Sequence, residues 1–136
     1  MFTTTQLKTA HSKVKSGADF PCYIQEIKAL GVTHYEAYVT DGKIDFHGPD
    51  GYSATVPAKY HRLAIADVTK PEEFKAELIS HQQGKTDFLT FIKLCAIYGI
   101  EKWAVCMSQM TCTYYDKYGN EILVEKIPEP KTSPQL

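Results

Sequence analysis

The sequence predicts an α+β fold: an internally duplicated α-α-β-β-β unit, with pseudo-twofold symmetry, whose helices pack one mostly antiparallel sheet of about six strands. Three observations carry this reading. First, residues 18–58 align with residues 86–126 at an offset of 68 without a gap. Six of those 41 pairs are identical: Asp19/Asp87, Phe20/Phe88, Ile24/Ile92, Gly31/Gly99, Gly51/Gly119 and Val56/Val124. Tyr23/Phe91, Val32/Ile100, Tyr35/Trp103, Val39/Met107 and Phe46/Tyr114 keep their chemical class. Second, the apolar period changes within each unit from that of a helix to that of a strand. Third, turn residues punctuate both units at matching places.

A first helix is expected over about 5–16, where Leu7, Ala10 and Val14 share one face. Thr3 and Gln6 have capping-box spacing, and Gly17 is placed to end the helix in a left-handed conformation. A second helix is expected over about 21–30. Pro21 suits its first turn, Asp19 favours its positive end, and Phe20, Ile24, Ile27 and Leu30 form its stripe. Gly31 stops it.

Strand alternation follows. Tyr35, Ala37 and Val39 alternate with His34, Glu36 and Tyr38, then Asp41-Gly42 gives a two-residue hairpin signal. Ile44 and Phe46 resume the apolar face, Gly48-Pro49-Asp50-Gly51 turns, and Ala54 and Val56 mark a third strand. The connector over 57–70 admits an extra strand at 61–66. Thr69 with Glu72, and Pro71, announce a third helix, and a fourth is expected over about 86–98. Strands follow near 102–108, 111–116 and 121–126. The chain reads as one domain over 1–136, with repeats at about 5–58 and 73–126. Pro128, Pro130 and Pro134 mark a flexible tail over 128–136.

Composition bounds the function. The 136 residues are 43% hydrophobic and 23% charged, an ordinary globular balance with room for a core. A formal net charge of -1 gives no electrostatic case for nucleic acid or an anionic membrane. No apolar run approaches the roughly 20 residues that span a bilayer, and the N-terminus lacks a signal-peptide layout, so a cytoplasmic location is expected. Cys22, Cys95, Cys106 and Cys112 form no CxxC and no secreted framework.

With Asp41-Gly42 as a two-residue turn, the expected cross-strand pairs are Val39:Ile44, Tyr38:Asp45, Ala37:Phe46 and Glu36:His47. The polar face then carries His34, Glu36, Tyr38, Asp45 and His47, the best candidate site in the chain. His47 beside Glu36 could serve as a carboxylate-oriented base, and three such ligands on one face could hold zinc. No tight ligand spacing supports a metal, and a solvated face with cross-strand pairs is the plainer reading. In the second half, a Gln109-Met110 turn would pair Met107:Cys112, Cys106:Thr113 and Ala104:Tyr115. Cys106 and Cys112 then point to opposite faces, which argues against a disulfide.

Other candidates are weighed the same way. Tyr52, Tyr60, Tyr98, Trp103, Tyr114, Tyr115 and Tyr118 could line a pocket for a planar ligand, although Trp103 and Tyr114 read equally as core. Cys22 sits in a helix's first turn, where the dipole lowers a thiol pKa, but it has no base partner. Cys95 and Cys112 read as inert buried thiols. His61 and Arg62, with Lys59 and Lys70, form a small basic patch able to contact phosphate. No phosphate loop, nucleophile elbow or HExxH occurs, and no cofactor is called for.

The stretch AHSKVKSGADFPCYIQEIKALGVTHYEAYVTDGKIDFHGPDGY, with HQQGKTDF and MTCTYYDKYGNEILVEKIP, resembles an uncharacterised bacterial family, the YbcV-like proteins often labelled "phage envelope protein". The resemblance runs from about Thr5 to Pro128. It implies a bacterial or prophage-associated protein of unknown function and supplies no site residues. The sequence therefore reads as a non-enzymatic binding or interaction protein that meets a protein partner or a second copy of itself. Two alternatives remain: a small enzyme or metal-dependent module using His34, Glu36 and His47, and a phage structural component.

Overall fold

The computed structural model describes residues 2–129. The expected tail lies outside them, apart from Pro128 and Glu129. Helix α1 spans Thr4–His11, opened by the expected capping box. The Gln6 N–H donates to Thr3 Oγ1 at 3.2 Å and the Thr3 N–H to Gln6 Oε1 at 2.9 Å. The helix is shorter than expected because the chain folds over at Lys15 and Ser16. Both backbone N–H groups donate to the Asp19 carboxylate, at 2.9 and 3.3 Å. Gly17 therefore opens a 3-10 turn, Gly17–Asp19, instead of closing α1 in a left-handed conformation.

Helix α2 spans Phe20–Ala29 with Pro21 in its first turn, and Gly31 ends it at φ 109°. Helix α3 spans Pro71–Gln82. The expected Thr69 cap is not made; Lys70 occupies the cap position without a side-chain bond, and its N–H donates to the Tyr98 carbonyl at 3.1 Å. Helix α4 spans Phe88–Ile97, and Asp87 caps it through the Thr90 N–H at 2.7 Å.

The strands are β1 His34–Tyr38, β2 Ile44–His47, β3 Ser53–Val56, β4 Lys102–Cys106, β5 Thr111–Tyr115 and β6 Glu121–Lys126. They form one antiparallel sheet in the order β3-β2-β1-β4-β5-β6. No strand forms at 61–66; instead Leu63 and Ala66 donate their N–H groups to Thr40 and Ala96. Exchanging the two α-α-β-β-β runs leaves the strand order unchanged. At the centre Glu36 faces Ala104, and these positions differ by the same offset of 68.

Both hairpins depart from the expected register by two residues. The observed pairs are His34:His47, Tyr35:Phe46, Glu36:Asp45 and Ala37:Ile44. In the second half they are Trp103:Tyr114, Ala104:Thr113, Val105:Cys112 and Cys106:Thr111. The reason is the same in each. Val39 and Met107 are drawn into the core, and their N–H groups donate across the sheet centre to the carbonyls of Glu101 and Thr33. The connections become four-residue loops, 39–42 and 107–110, with left-handed Gly42 and Met110 in last place. A shift of two preserves parity, so the face assignments stand.

Tyr35, Phe46, Trp103, Val105, Cys112 and Tyr114 bury one sheet face with helical Leu7, Ile24, Phe74 and Ile92. Each such aliphatic side chain contributes about 1.5–3 kcal/mol on full burial. The opposite face carries the polar strand residues. Cys106 and Cys112 lie on different faces, and all four cysteines are free.

Candidate functional site

The polar residues singled out in the sequence do share the outer face of β1 and β2. The His34 and His47 rings stack with centroids 4.4 Å apart at 7°. His47 Nε2 lies 3.5 Å from Glu36 Oε1, an ion pair when the ring is protonated. That contact is diagonal, since Glu36 faces Asp45 and Ala104. Asp45 accepts from Thr55 Oγ1 at 2.8 Å and lies 3.7 Å from Lys43 Nζ. Tyr38 sits under Lys43 and Lys102, whose Nζ atoms are 4.8 and 5.8 Å from its ring centre. Burial and the neighbouring carboxylates raise its pKa.

This face is half-exposed and its groups already answer one another. Imidazole lone pairs lie in the ring planes, so two parallel stacked rings do not converge on one ion. Among the described residues no group of three or more His, Cys, Asp or Glu side chains is placed to hold a metal.

A second feature lies between the helices and the inner face of the sheet: a cavity of about 70 Å³. Of the aromatics expected to line a pocket, Trp103 and Tyr114 do so and Tyr52, Tyr60, Tyr98, Tyr115 and Tyr118 do not. Tyr60 instead donates to the Val39 carbonyl at 2.6 Å, and Tyr52 packs its ring on Phe2 at 4.8 Å.

Residues related by the sequence offset recur in the lining. Phe20 and Phe88, Tyr23 and Phe91, and Tyr35 and Trp103 are pairs at the offset of 68, and all six line the cavity. His11 with Leu78, and Val14 with His81, do so at an offset of 67. The cavity is thus built from matched positions of both halves. Its polar groups are not matched: Tyr23 answers Phe91, His11 answers Leu78, and His81 answers Val14.

Each of these polar groups has a distinct environment. Tyr23 is only 4% exposed, and its hydroxyl is the one buried side-chain polar atom without a partner among the described residues. Burial, then Glu26, pushes its pKa up, so it stays a neutral phenol. His11 packs edge-on against Tyr23 and Phe88, at 5.3 and 4.8 Å. Burial and the nearby Lys59 ammonium lower its pKa to about 4. Neutral His11 then accepts at Nδ1 from Lys59 Nζ, 3.3 Å away. His81 stacks on Phe91 at 4.2 Å, and its Nδ1 lies 3.1 Å from the Thr86 carbonyl. With a proton on Nδ1 the ring donates to that carbonyl; with Nδ1 bare it accepts from the Thr86 hydroxyl at 3.0 Å. Cys112 also lines the cavity, its thiol pushed up to about 12 by burial against an opposing bond from Tyr114.

Sequence reading missed Tyr23, His11 and His81 as site residues. Their signal was there: each is an aromatic or imidazole at a position whose repeat partner is apolar.

The fold and this geometry define an α+β protein with an aromatic cavity between its helices and its sheet. The chain belongs to the family described as "Protein of unknown function (DUF1398)", whose model matches residues 8–126. No curated protein matches the chain. No helix among the described residues is long and apolar enough to cross a membrane.

Proposed function

We propose that this protein is a non-enzymatic binding protein whose ligand is a small molecule held in the cavity between helices and sheet. The unpartnered Tyr23 hydroxyl carries the reading. A buried hydroxyl left without a partner costs about 1–3 kcal/mol, and a ligand group that meets it recovers that cost. The surroundings support the same view: an apolar pocket with a few convergent polar groups is the usual form of a small-molecule site. The repeated element order supports an internal duplication, with the polar substitutions in one half specialising a seam that both halves built. Cys112 in the lining is held protonated by burial and is no ready nucleophile.

Trp103 is the sole tryptophan and lines the cavity, so its emission reports occupancy. Titration with isobutyrate and its neutral isostere isobutyramide tests the proposal. A saturable change in emission with at least one of them is expected. It should disappear in Ala37→Leu, which fills the cavity while the circular dichroism spectrum stays native. No saturable change with either compound would overturn the reading.

The open outer face supports a second reading, association with a protein partner or a second copy of the chain. Tyr38 and Tyr115 both lie beside Lys102, at 5.8 and 5.2 Å, an amphipathic cluster suited to contact. Light scattering tests the second-copy form: a monomer at high concentration counts against it.

A further inference from the structure

We infer that the ligand is a small monocarboxylate, its apolar body in the cavity and its carboxylate between the Tyr23 hydroxyl and the Lys59 ammonium. The inference rests on the binding reading above and adds the ligand's chemistry and size.

Charge gives the first part. Lys59 lines the cavity and lies at the surface. None of the four ion pairs among the described residues involves it. Its nearest polar partner is the neutral imidazole of His11, which offers a lone pair and no negative charge. Lys8 adds a second positive charge close enough to lower the Lys59 pKa further, after burial. A cation in this position favours an anion.

Geometry gives the second. Tyr23 and Lys59 both touch His11, the one by its ring at 5.3 Å and the other by its ammonium at 3.3 Å. His11 thus links the Tyr23 ring and the Lys59 ammonium, and all three residues line the cavity. A phenol and an ammonium are both donors, and a carboxylate offers two acceptor oxygens to meet them. Glu26 is the acidic group that acts on Tyr23, and it is already paired with Lys13 at 3.0 Å.

Volume gives the third. The cavity measures about 70 Å³. An engineered apolar cavity of about 150 Å³ accepts benzene, so half that space takes a body of roughly three or four carbons. Isobutyrate has that size, and isobutyramide keeps its shape without the charge.

The experiment compares affinities for these two compounds by Trp103 emission in the wild type, Lys59→Met and Tyr23→Phe. The wild type should prefer isobutyrate by about tenfold, as for a hydrogen bond gained to a charged group. Lys59→Met should lose that preference and keep its affinity for isobutyramide. Tyr23→Phe should weaken isobutyrate while the protein's Tm is maintained. If isobutyramide binds as well as isobutyrate, or if either variant leaves isobutyrate binding unchanged, the carboxylate assignment fails and the binding reading survives. If neither compound binds the wild type, both fall together.

Discussion

Tyr23 and Phe91 occupy matched positions of the two halves and line one cavity, and only Tyr23 brings a hydroxyl, which has no partner. In the ligand-free protein that hydroxyl is a cost. Tyr23→Phe should therefore leave stability unchanged or raise it by about 1 kcal/mol, because it removes a desolvated group and keeps the ring. Urea denaturation without ligand measures this. A loss larger than about 2 kcal/mol would show that the hydroxyl has a protein partner in solution.

Gly17 is a buried part of the same lining. A Cβ built there would stand 2.7 Å from His81 Cδ2 and 2.8 Å from the His81 carbonyl oxygen. The second contact is with backbone and is not relieved by a rotamer change. Gly17→Ala should cost about 1–3 kcal/mol through overpacking. Gly84→Ala is a poor control, since Gly84 sits at φ 80°. Ala18→Ser, on the exposed side of the same turn, should change little. Chemical denaturation of the two variants provides the comparison.

Much of the fold was legible because its signals are local. Apolar period, capping spacing and turn glycines each act within a few residues, and the helices and all six strands lie close to where these place them. The register was not legible from Asp41-Gly42, because a non-local bond decides it: the Val39 N–H reaches Glu101 across the sheet centre. Gly17 misled for a related reason, its small size serving contact with His81 and not a helix end. The outer polar cluster could be read because strand parity alone assembles it. The cavity could not, because its lining comes from four helices, several strands and the connector, and only the fold brings these together. The alignment at the offset of 68 would have pointed to it, had the polar mismatches been sought on the apolar face.

The two four-residue loops offer a matched experiment. Gly42 at φ 84° and Met110 at φ 52° hold the same place in them. Adding a side chain at Gly42 incurs left-handed strain and puts Cβ 2.8 Å from the Tyr60 ring. Gly42→Ala should cost about 2 kcal/mol or more. Met110→Gly relieves strain of about 1–2 kcal/mol but loses packing and adds unfolded-state entropy, so its net effect should stay within about 1 kcal/mol. Thermal denaturation of both variants checks the ordering, which would be reversed if the strain were borne elsewhere.

Thiol reactivity should divide the cysteines by face. Cys22 is exposed, and Cys106 is half-exposed with its pKa lowered by bonds from Ser108 and Gln109. Cys95 and Cys112 are buried and their thiols are pushed up by burial. Ellman's reagent at neutral pH should modify two thiols quickly and the other two only on unfolding. Fast modification of Cys112, located by peptide mapping, would show that the cavity floor opens.

The imidazoles make stability depend on pH in a defined window. His11 titrates at about 4 in the folded protein against 6.5 in the unfolded chain, because burial and Lys59 disfavour its charged form. Between those values the unfolded chain binds more protons, so stability falls as pH is lowered through the window and is insensitive to His11 above it. His81, lowered by burial against the opposing Thr86 and Asp87 contacts, contributes with the same sign. Asp67 and Asp87 are also lowered, by bonds from Lys117 and Thr90, but their loss comes as pH falls below the ordinary carboxylate value of 3.8. The Tm should thus decline between about pH 6.5 and 4, before the carboxylates titrate. His11→Leu, which copies its repeat partner Leu78, should flatten that decline, leaving the part due to His81. An unchanged slope in this variant would mean that His11 is solvated in the folded protein and that the Lys59 end of the cavity admits water freely.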